Sequence, residues 1–459
     1  MDSRRPARRA SLLLASLVAG CATYTARPLD SVDPVARYHA RRLDDSTLLA
    51  ALDSIGVGRP SGAWRDWQLA AAAWVLRPER DRMLAEIHAA EAGRISAGAR
   101  PQPEITTETE IDLGGGQGES RFGFALGSVF TLELGGKRGA RLGRANAALL
   151  AAQARADAEA RELRGRVRAR ALAQEHAERR WRQSEAELVL LDSVIALTRS
   201  RFAEGGASAS EVARAQADRE EWAMEVTSRL QAYQETRAAL AAEVGVPEIE
   251  LARVEIAVDQ GPRCAAPEQG DSLERLALVD RPEVRLALAD YQVAEAEVRI
   301  AVANSWPDLA LGPGLFLDHG INKWTVAFGL PSLPLNRNRG PIAEAEAQRE
   351  VAARRVAEVQ ELVIADVEQA LAGCAAAEAA AASLAVTGAE ERLALADQAY
   401  QRGEVGRLDV TLAHLELVRA SRRFGEAALR LTDSGLELEH AVGIWSGAPA
   451  LSWWTKGGL

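Results

Sequence analysis

The residues that most often perform chemistry in proteins, cysteine and histidine, are few in this chain and widely spaced. Its 459 residues include three cysteines, and its six histidines stand at positions 39, 88, 176, 319, 414 and 440. They form no HExxH motif and no Cys/His spacing typical of zinc ligands. The sequence also lacks a glycine-rich phosphate loop and a nucleophile motif. We therefore expect no enzyme, no cofactor and no metal site.

Cys21 is the cysteine whose surroundings predict a modification. Residues 1–20 place four arginines in the first nine positions before an apolar stretch at 11–19, which is typical of an export signal. Leu17-Val-Ala-Gly20 then precedes Cys21, and this sequence resembles the cleavage site of bacterial lipoproteins. The resemblance implies a diacylglycerol on the Cys21 thiol and an acyl chain such as palmitate on its new amine. The alternative is an ordinary cleavage site beside an incidental cysteine.

Cys264 and Cys374 leave two alternatives open. Cys264 lies in a proline-containing segment, and Cys374 lies within a stretch that predicts a helix. An exported protein meets oxidising conditions, so the two thiols can form a disulfide. Nothing in the sequence brings them together, however, and isolated cysteines are commonly small buried thiols. The sequence therefore favours two free thiols.

An internal repeat sets the architecture. Arg77-Pro-Glu79 recurs as Arg281-Pro-Glu283, and Pro103 recurs as Pro307, both at a spacing of 204 residues. Such self-similarity indicates two copies of one structural unit. Further matches at a spacing of 198 residues are Phe202 with Tyr400, Gly205 with Gly403, Glu211 with Asp409 and Val244 with Val442.

The repeat predicts the domain organisation, with each copy running helix, two strands, very long helix, tight turn, helix. The predicted parts are a signal peptide at 1–20, a lipidated N-terminal tail at 21–65, a first repeat at 66–245, a linker at 246–271, a second repeat at 272–443 and a C-terminal tail at 444–459. The strand pairs are expected at 103–134 and 307–335, the long helices at 139–201 and 341–402, and the returning helices at 208–244 and 407–442. A helix of that length spans about 90 Å, more than a compact domain holds.

Glycines mark the turns between the long and the returning helices. Gly205 ends the first long helix, and the spacing from Ser208 to Glu211 is that of a capping box that starts the next helix. Gly403 and Gly406 stand at the matching positions of the second copy. The sequence thus predicts two helical hairpins that point the same way.

The predicted strands alternate in character, which is the pattern of a sheet with two different faces. Within 104–112 the even positions hold four acidic residues and the odd positions are apolar or threonine. Four acids on one face cannot lie in a dry core. Four such strands of about ten residues are typical of a transmembrane β-barrel, and the alternative is an amphipathic sheet covered on one face by helices.

Membrane insertion through a helix is not expected, because we find no apolar run of the roughly eighteen residues that a helix needs. Strands need no such run. Four strands are too few to close a membrane barrel, for which about eight is the minimum. The sequence therefore predicts an oligomer in which several chains contribute strands to one barrel.

Taken together, these features resemble the TolC family of outer-membrane factors over nearly all of the chain after Cys21. The resemblance rests on Gly135-Gly-Lys-Arg138, on Leu333-Pro-Leu-Asn-Arg-Asn-Arg-Gly340, on Arg281-Pro-Glu283 and on the two glycine turns. The first two segments are most similar to the CzcC branch, which serves heavy-metal efflux pumps. The low aromatic content, 5% of the residues, departs from the family pattern.

The resemblance implies a mostly α fold with a small β part. Three chains would share a twelve-stranded transmembrane barrel, with their helices forming a trimeric α-barrel tunnel. It also implies partners: the hairpin tips meet a periplasmic adaptor, which links the tunnel to an inner-membrane pump of the RND or another type. Carried over to this chain, the adaptor contacts are Phe202, Gly205, Ser208, Tyr400, Gly403 and Gly406. The glycines would also be needed by the turns alone.

Three acids near the second turn form another candidate site. Glu390, Glu391 and Asp397 lie within about two helical turns. In a trimer, any of them that faced the lumen would form a ring that attracts cations and helps gate the tunnel. The alternative is an ordinary solvated helix face.

These expectations lead to a passive exit duct in the outer membrane, in contact with its lipids and anchored through Cys21. It would conduct solutes such as heavy-metal cations from the pump to the exterior. Two alternatives remain: an exit duct for type I secretion, and a non-channel coiled-coil lipoprotein that serves as a periplasmic adaptor or scaffold. A nucleic-acid partner is not expected, because the chain has a net charge of -10.

Overall fold

A computed structural model describes residues 24–29, 33–111, 122–258, 264, 269–318, 321–329, 336–383 and 386–443. The signal peptide, Cys21 and the C-terminal tail at 444–459 lie outside these ranges. The chain divides into two units, Met1–Arg41 and Arg42–Leu459. In the first unit the described structure is a short helix, α1, at Pro34–His39. The second unit holds all the other elements.

Helices dominate the second unit. Its described helices in the first copy are α2 Ser46–Ser54, α3 Asp66–Leu76, α4 Pro78–Gly98, α5 Lys137–Ala203 and α6 Ala209–Val244. The short helix α7 at Glu248–Leu251 follows, and the second copy contains α8 Gly270–Asp280, α9 Pro282–Ala303, α10 Arg339–Ala382, α11 Thr387–Gln401 and α12 Arg407–Val442. The copies correspond element by element, since α4 and α9 each begin at a proline in the first turn.

Helix α5 is long because its sequence favours helix throughout. It runs for 67 residues without a proline, and is rich in alanine, arginine, glutamate and leucine. Pairs of opposite charge one turn apart, such as Arg179 with Glu175 and Arg182 with Glu178, support its exposed side. At 1.5 Å per residue the helix is about 100 Å long.

The predicted continuous helix at 341–402 is wrong. Helix α10 ends at Ala382 and a separate helix, α11, begins at Thr387. The break falls where alanine gives way to Ser383, Thr387 and Gly388, residue types with weaker helix preference. The corresponding helix α5 has no such interruption.

In the part of the chain that the structure describes, six strands form two sheets. β1 Trp64–Arg65 and β4 Ile256–Ala257 pair in parallel as a two-residue connection between the start and the end of the first copy. The larger sheet has the order β2-β3-β5-β6 and is antiparallel throughout. Its strands are β2 Glu104–Ile111, β3 Phe122–Leu132, β5 Leu309–Asp318 and β6 Ile321–Gly329.

Two hydrophobic cores fasten the C-terminal ends of α6 and α12, one against the middle of α5 and the other against the second half of α10. The first places the nearly all-apolar helix α3 against Leu163 and Val167 of α5 and Leu240 of α6. The second joins α8, α9, α10 and α12 around Val367 and Cys374. The cores lie in equivalent parts of the two copies.

By length and composition alone, the range Arg339–Gln401 contains an 18-residue window apolar enough to cross a membrane as a helix, and 19% of that window is buried in the single chain. This range runs over the interruption between α10 and α11, where residues 384 and 385 lie outside the described ranges. The expectation that no such run exists was therefore wrong by this measure. The predicted class, mostly helical with a small sheet part, is confirmed.

Candidate functional site: the open sheet and the hairpin tips

The four-stranded sheet has one apolar face. Residues directly opposite each other in an antiparallel pair share a face, so Leu126 and Leu315 lie on the same side, as do Leu315 and Trp324. Side chains of this face are strongly exposed in the single chain, by 83% for Trp324 and 65% for Phe328. The other large exposed members are Ile105, Ile111, Phe122, Leu126, Phe130, Leu132, Leu311, Leu317 and Val326. A continuous apolar face of this extent indicates a non-aqueous partner.

The opposite face is acidic on β2 and consists largely of small residues on the other strands, with Phe316 and Lys323 as larger members. Glu108 pairs with Ala125, and Glu110 pairs with Gly123. There is little room for larger side chains, because a Cβ atom on Gly127 would lie 2.8 Å from Thr106 Oγ1 and one on Gly314 would lie 2.9 Å from Thr325 Oγ1. Crowding on this side suits a sheet that curves toward it, as the wall of a barrel curves toward its lumen.

The two edges of the sheet are the strands β2 and β6. Among the described strands, each of them pairs with one neighbour. Within the described residues, no helix packs extensively on either face of the sheet. The described helices of the chain therefore do not provide the cover that the alternative of an amphipathic sheet requires.

Ion pairs fix the base of the sheet to the long helices. Lys137 at the start of α5 donates a 2.7 Å hydrogen bond to Asp308, just before β5. Arg141 hydrogen bonds to Glu133, just after β3, and this contact holds the pKa of the Glu133 carboxyl below its usual range. Trp306 packs against Gly135, where a Cβ atom would lie 2.6 Å from the indole ring. These contacts set the direction in which the strands leave the helical part.

The first hairpin tip contains three of the predicted adaptor contacts. Gly205 has φ +75°, and its N–H donates a 3.0 Å hydrogen bond to the carbonyl of Phe202. Ser208 caps α6, with its backbone N–H donating to Glu211 at 2.6 Å and its hydroxyl accepting from the Glu211 N–H at 3.2 Å. The expected capping box is present, and the Phe202 ring stands 48% exposed beside it.

The second tip repeats this construction with the other three predicted residues. Gly403 has φ +74°, and its N–H donates a 2.9 Å hydrogen bond to the carbonyl of Tyr400. The N–H of Gly406 donates to Asp409 at 2.9 Å, which starts α12. The Tyr400 ring is 47% exposed. Each tip therefore presents one aromatic ring beside a left-handed glycine.

The three candidate acids near the second tip are all exposed on α11. Seven residues separate Glu390 from Asp397, which is almost two full turns, so these two carboxylates lie on the same side of the helix. Glu391 lies more than a quarter turn away. The structure thus brings together two of the three acids.

The cysteines separate into two cases. Cys264 and Cys374 form a disulfide, which joins the linker between the copies to α10. The prediction of two free thiols was therefore wrong. It rested on the distance between the cysteines in the sequence, whereas the fold brings the linker back to the second core, where Cys374 is buried. Cys21 lies outside the part of the chain that the structure describes, so its lipid modification stays a prediction.

Sequence reasoning missed a cavity of about 790 Å³ between α5, α6 and α12, whose lining includes His176, Arg180, Asp433 and His440. The residues of α5 that line this cavity lie on the side of the helix opposite the first core. His176 and Val167, for example, are nine residues apart, which places their side chains about 180° apart around the helix axis. The sequence signal that could have indicated this cavity is the helical spacing of its lining residues within α5.

Burial shifts the titration of the cavity groups. It lowers the pKa of His176 to about 4, with help from the positive charge of Arg180. It raises the pKa of Asp433 to about 6. His176 Nδ1 lies 3.6 Å from Asp433 Oδ2, and His176 Nε2 has no hydrogen-bond partner among the residues that the structure describes. Among the described residues, no three His, Cys, Asp or Glu side chains are placed to hold a metal ion.

Comparisons with known proteins agree with this geometry. The family described as "Outer membrane efflux protein" matches residues 73–246 and again 273–444, once in each copy. The chain is 25% identical over 350 residues to the cobalt-zinc-cadmium resistance protein CzcC of Cupriavidus metallidurans, covering 74% of this chain and 80% of that protein.

Solved structures with the same fold are also outer-membrane proteins by their descriptions. The outer membrane protein VceC from Vibrio cholerae aligns with a TM-score of 0.64 at 21% identity, over 82% of this chain and 96% of its own. The CmeC outer membrane channel of Campylobacter jejuni aligns with a TM-score of 0.59 at 13% identity, over 92% of this chain and 94% of its own. At these identities the likeness concerns the fold alone.

Proposed function

The chain belongs to the outer membrane efflux protein family, and on that premise we propose that it is the passive exit duct of a tripartite efflux system. Three copies would share a twelve-stranded barrel in the outer membrane, and their long helical hairpins would form a tunnel across the periplasm. The duct itself performs no chemistry. The inner-membrane pump supplies the energy for transport.

One observation carries this proposal: the four-stranded sheet has an exposed apolar face, a crowded acidic face and two unpaired edges. Hydrocarbon offers no partner for the N–H and C=O groups of a sheet edge, so a sheet in a membrane must close. Four strands cannot close by themselves. Three copies of the chain supply twelve strands, with the apolar face toward lipid and the acidic face toward the lumen.

The partners follow from the hairpin tips. An adaptor that ends in helical hairpins of its own would meet the exposed rings of Phe202 and Tyr400 beside the glycines of the two turns. The tips are far from the sheet along the long helices, so one end of the duct meets the adaptor while the other lies in the membrane. An RND-type or other inner-membrane pump completes the system.

For the cargo we propose heavy-metal cations. Similarity to a protein named for cobalt, zinc and cadmium resistance supports this choice. The acidic face of β2 supports it as well, because Glu104, Glu108 and Glu110 of three chains would make the barrel lumen attractive to cations. We further propose that lipid on Cys21 anchors each chain to the outer membrane.

Conductance and assembly test the proposal together. Outer-membrane fractions should contain a heat-modifiable trimer, and the purified trimer should conduct ions in planar bilayers. A monomer in the soluble periplasmic fraction would overturn the proposal in favour of an adaptor or scaffold. Labelling with a palmitate analogue should mark the wild-type chain and leave Cys21→Ser unlabelled.

The cargo is tested in a deletion strain. It should become sensitive to cobalt, zinc or cadmium salts, and the wild-type gene should restore growth. Sensitivity to organic toxins alone would contradict metal cargo while leaving the duct in place. Loss of a secreted protein from the medium would favour type I secretion.

A further inference from the structure

The open edges β2 and β6 must each meet another copy if the proposed duct forms, and the inference below rests on that proposed function. The strands alternate in direction across the sheet, so β6 of one subunit is antiparallel to β2 of the next. Such head-to-tail contacts close into a ring. The edge alone does not say which residues lie opposite each other.

The internal repeat supplies the missing alignment. The first strands of the two copies correspond at a spacing of 204 residues, which equates Thr106 of β2 with Ala310 of β5. Thr106 pairs with Gly127 in the first hairpin, and Ala310 pairs with Gly329 in the second. Gly127 and Gly329 are therefore equivalent, at a spacing of 202 residues.

A separate feature gives the same spacing for the second strands. The long helices that follow β3 and β6 are each preceded by a left-handed residue at the helix cap, Gly136 with φ +73° and Asn338 with φ +58°. These two positions also differ by 202 residues. The same spacing therefore relates β3 to β6 both within the strands and at the start of the helices that follow them.

Within the chain the strands of the two copies already meet once, in the pairing of β3 with β5. In that pair Gly127 lies opposite Gly314, and Leu126 lies opposite Leu315. The contact between subunits joins the equivalent strands, β6 and β2. By these spacings Gly127 corresponds to Gly329 and Gly314 corresponds to Glu110, so the first pair becomes Gly329 with Glu110. In the same way the second pair becomes Phe328 with Ile111.

We propose that β6 of one subunit pairs with β2 of the next in this register, with Gly329 opposite Glu110 of the partner subunit and Phe328 opposite Ile111 of the partner subunit. Each contact between subunits then copies the contact between repeats. The barrel acquires six nearly equivalent hairpin contacts from three chains.

The side chains agree with this register. Phe328 and Ile111 belong to the apolar face and are 65% and 64% exposed in the single chain, so each covers the other at the lipid boundary. On the opposite face Glu110 already lies beside Gly123 of its own chain. The proposed register puts a second glycine, Gly329, on its other side. The carboxylate then has free space on both flanks.

Engineered disulfides test the register in the assembled, membrane-embedded protein. The double variant Ile111→Cys/Phe328→Cys should form covalently linked trimers on mild oxidation. Within one chain these positions lie on opposite edges of the sheet, three strand spacings or at least about 14 Å apart, so a bond between them must join two subunits. The single variants Ile111→Cys and Phe328→Cys should give no linked trimer.

Slipped pairs provide the matched controls. Thr109→Cys/Phe328→Cys and Ile111→Cys/Val326→Cys keep both cysteines on the same face but displace the register by two residues, which separates the Cα atoms beyond the limit of about 7 Å for a disulfide. We expect each to link at least about fivefold less than the proposed pair.

Conductance measured on the same samples distinguishes a failure of the strand register from a failure of the proposed duct. A conducting trimer in which a slipped pair links best, or in which no pair links, would overturn the register and leave the duct standing. A chain that neither forms a trimer nor conducts would overturn the duct, and the register with it.

Discussion

Arg168 Nη1 donates a 2.9 Å hydrogen bond to Glu439 Oε2, and this contact joins α5 of the first copy to α12 of the second. The side chains are 5% and 1% exposed. Asp66 at the start of α3 lies 2.8 Å from the Arg168 Nε atom and is equally buried. One guanidinium thus holds three helices together where the first core meets α12.

Removing one member of this buried group should destabilise the protein strongly. Glu439→Gln keeps the shape of the side chain but leaves Arg168 with one carboxylate fewer, and breaking a buried ion pair costs about 3–5 kcal/mol. The melting temperature of the purified protein, followed by circular dichroism, measures the effect. Glu350→Gln is the matched control, because its ion pair with Arg354 is exposed and should contribute less than about 1 kcal/mol. Equal melting temperatures for the two variants would contradict the importance of the buried contact.

The sequence predicted the elements that depend on local pattern. Alternation in 104–111 gave β2, and the capping residues Ser208 and Glu211 gave the start of α6, because these signals act over a few neighbouring residues. Family membership and the mostly helical class followed from the order of such signals. The break after Ala382 was missed because each of the residues there lowers helix preference only slightly.

The sequence could not give contacts between distant parts of the chain. Nothing near Cys264 indicates that it lies against Cys374, 110 residues away. The same holds for Arg168 with Glu439 and for the cavity beside His176, since an arginine or histidine in a long helix is usually solvated. These pairings depend on how α5 and α12 pack, and that packing follows from the whole fold.

The disulfide between Cys264 and Cys374 should stabilise the oxidised protein. A cross-link that closes a loop of 110 residues removes chain entropy from the unfolded state, by about 4–5 kcal/mol in the simplest treatment. Cys374→Ser should therefore melt at a lower temperature than the wild type, and reductant should lower the wild type to the same level. If reductant lowers Cys374→Ser as much as the wild type, the effect comes from elsewhere in the protein.

Acid should destabilise the protein partly through His176. Because burial lowers its pKa from 6.5 to about 4 in the folded chain, the unfolded chain binds a proton between these values that the folded chain does not bind. This contribution is complete above pH 6.5 and is lost as the pH falls toward 4. Asp433, whose pKa is raised to about 6, acts in the opposite direction, because the folded chain takes up its proton first.

The variant His176→Gln separates the two effects. Relative to wild type, it should gain about 2 kcal/mol of stability as the pH falls from 6.5 to 4.5. Urea titrations at a series of pH values measure the difference. His88→Gln is the control for the substitution itself, since His88 is exposed and lies outside the cavity. A parallel pH dependence in His176→Gln and wild type would show that His176 titrates normally.

The acidic residues of α11 should affect ion selectivity only if the side of the helix that carries them faces the tunnel. If Glu390 and Asp397 face the tunnel, the double variant Glu390→Gln/Asp397→Asn should lower the preference of the trimer for cations over anions by about twofold or more in planar bilayers. Glu391→Gln removes one carboxylate from a different side of the helix, and it should change selectivity much less than the single variant Glu390→Gln, which removes the same charge. Equal effects of the two variants, or none from either, would assign these carboxylates to an ordinary solvated surface.

The hairpin tips should be required for transport and dispensable for assembly. Phe202→Ala/Tyr400→Ala removes the two exposed rings without touching the turn glycines, so the hairpins keep their geometry while the adaptor loses its apolar contacts. We expect loss of efflux in cells, normal trimer level in the outer membrane and normal conductance in bilayers. Gly205→Trp and Gly403→Trp should also abolish efflux with the trimer retained, although their positive φ values add strain to the turns. Cross-linking to the adaptor in intact cells distinguishes the explanations: a double alanine variant that still cross-links fully but no longer exports would place the defect inside the tunnel.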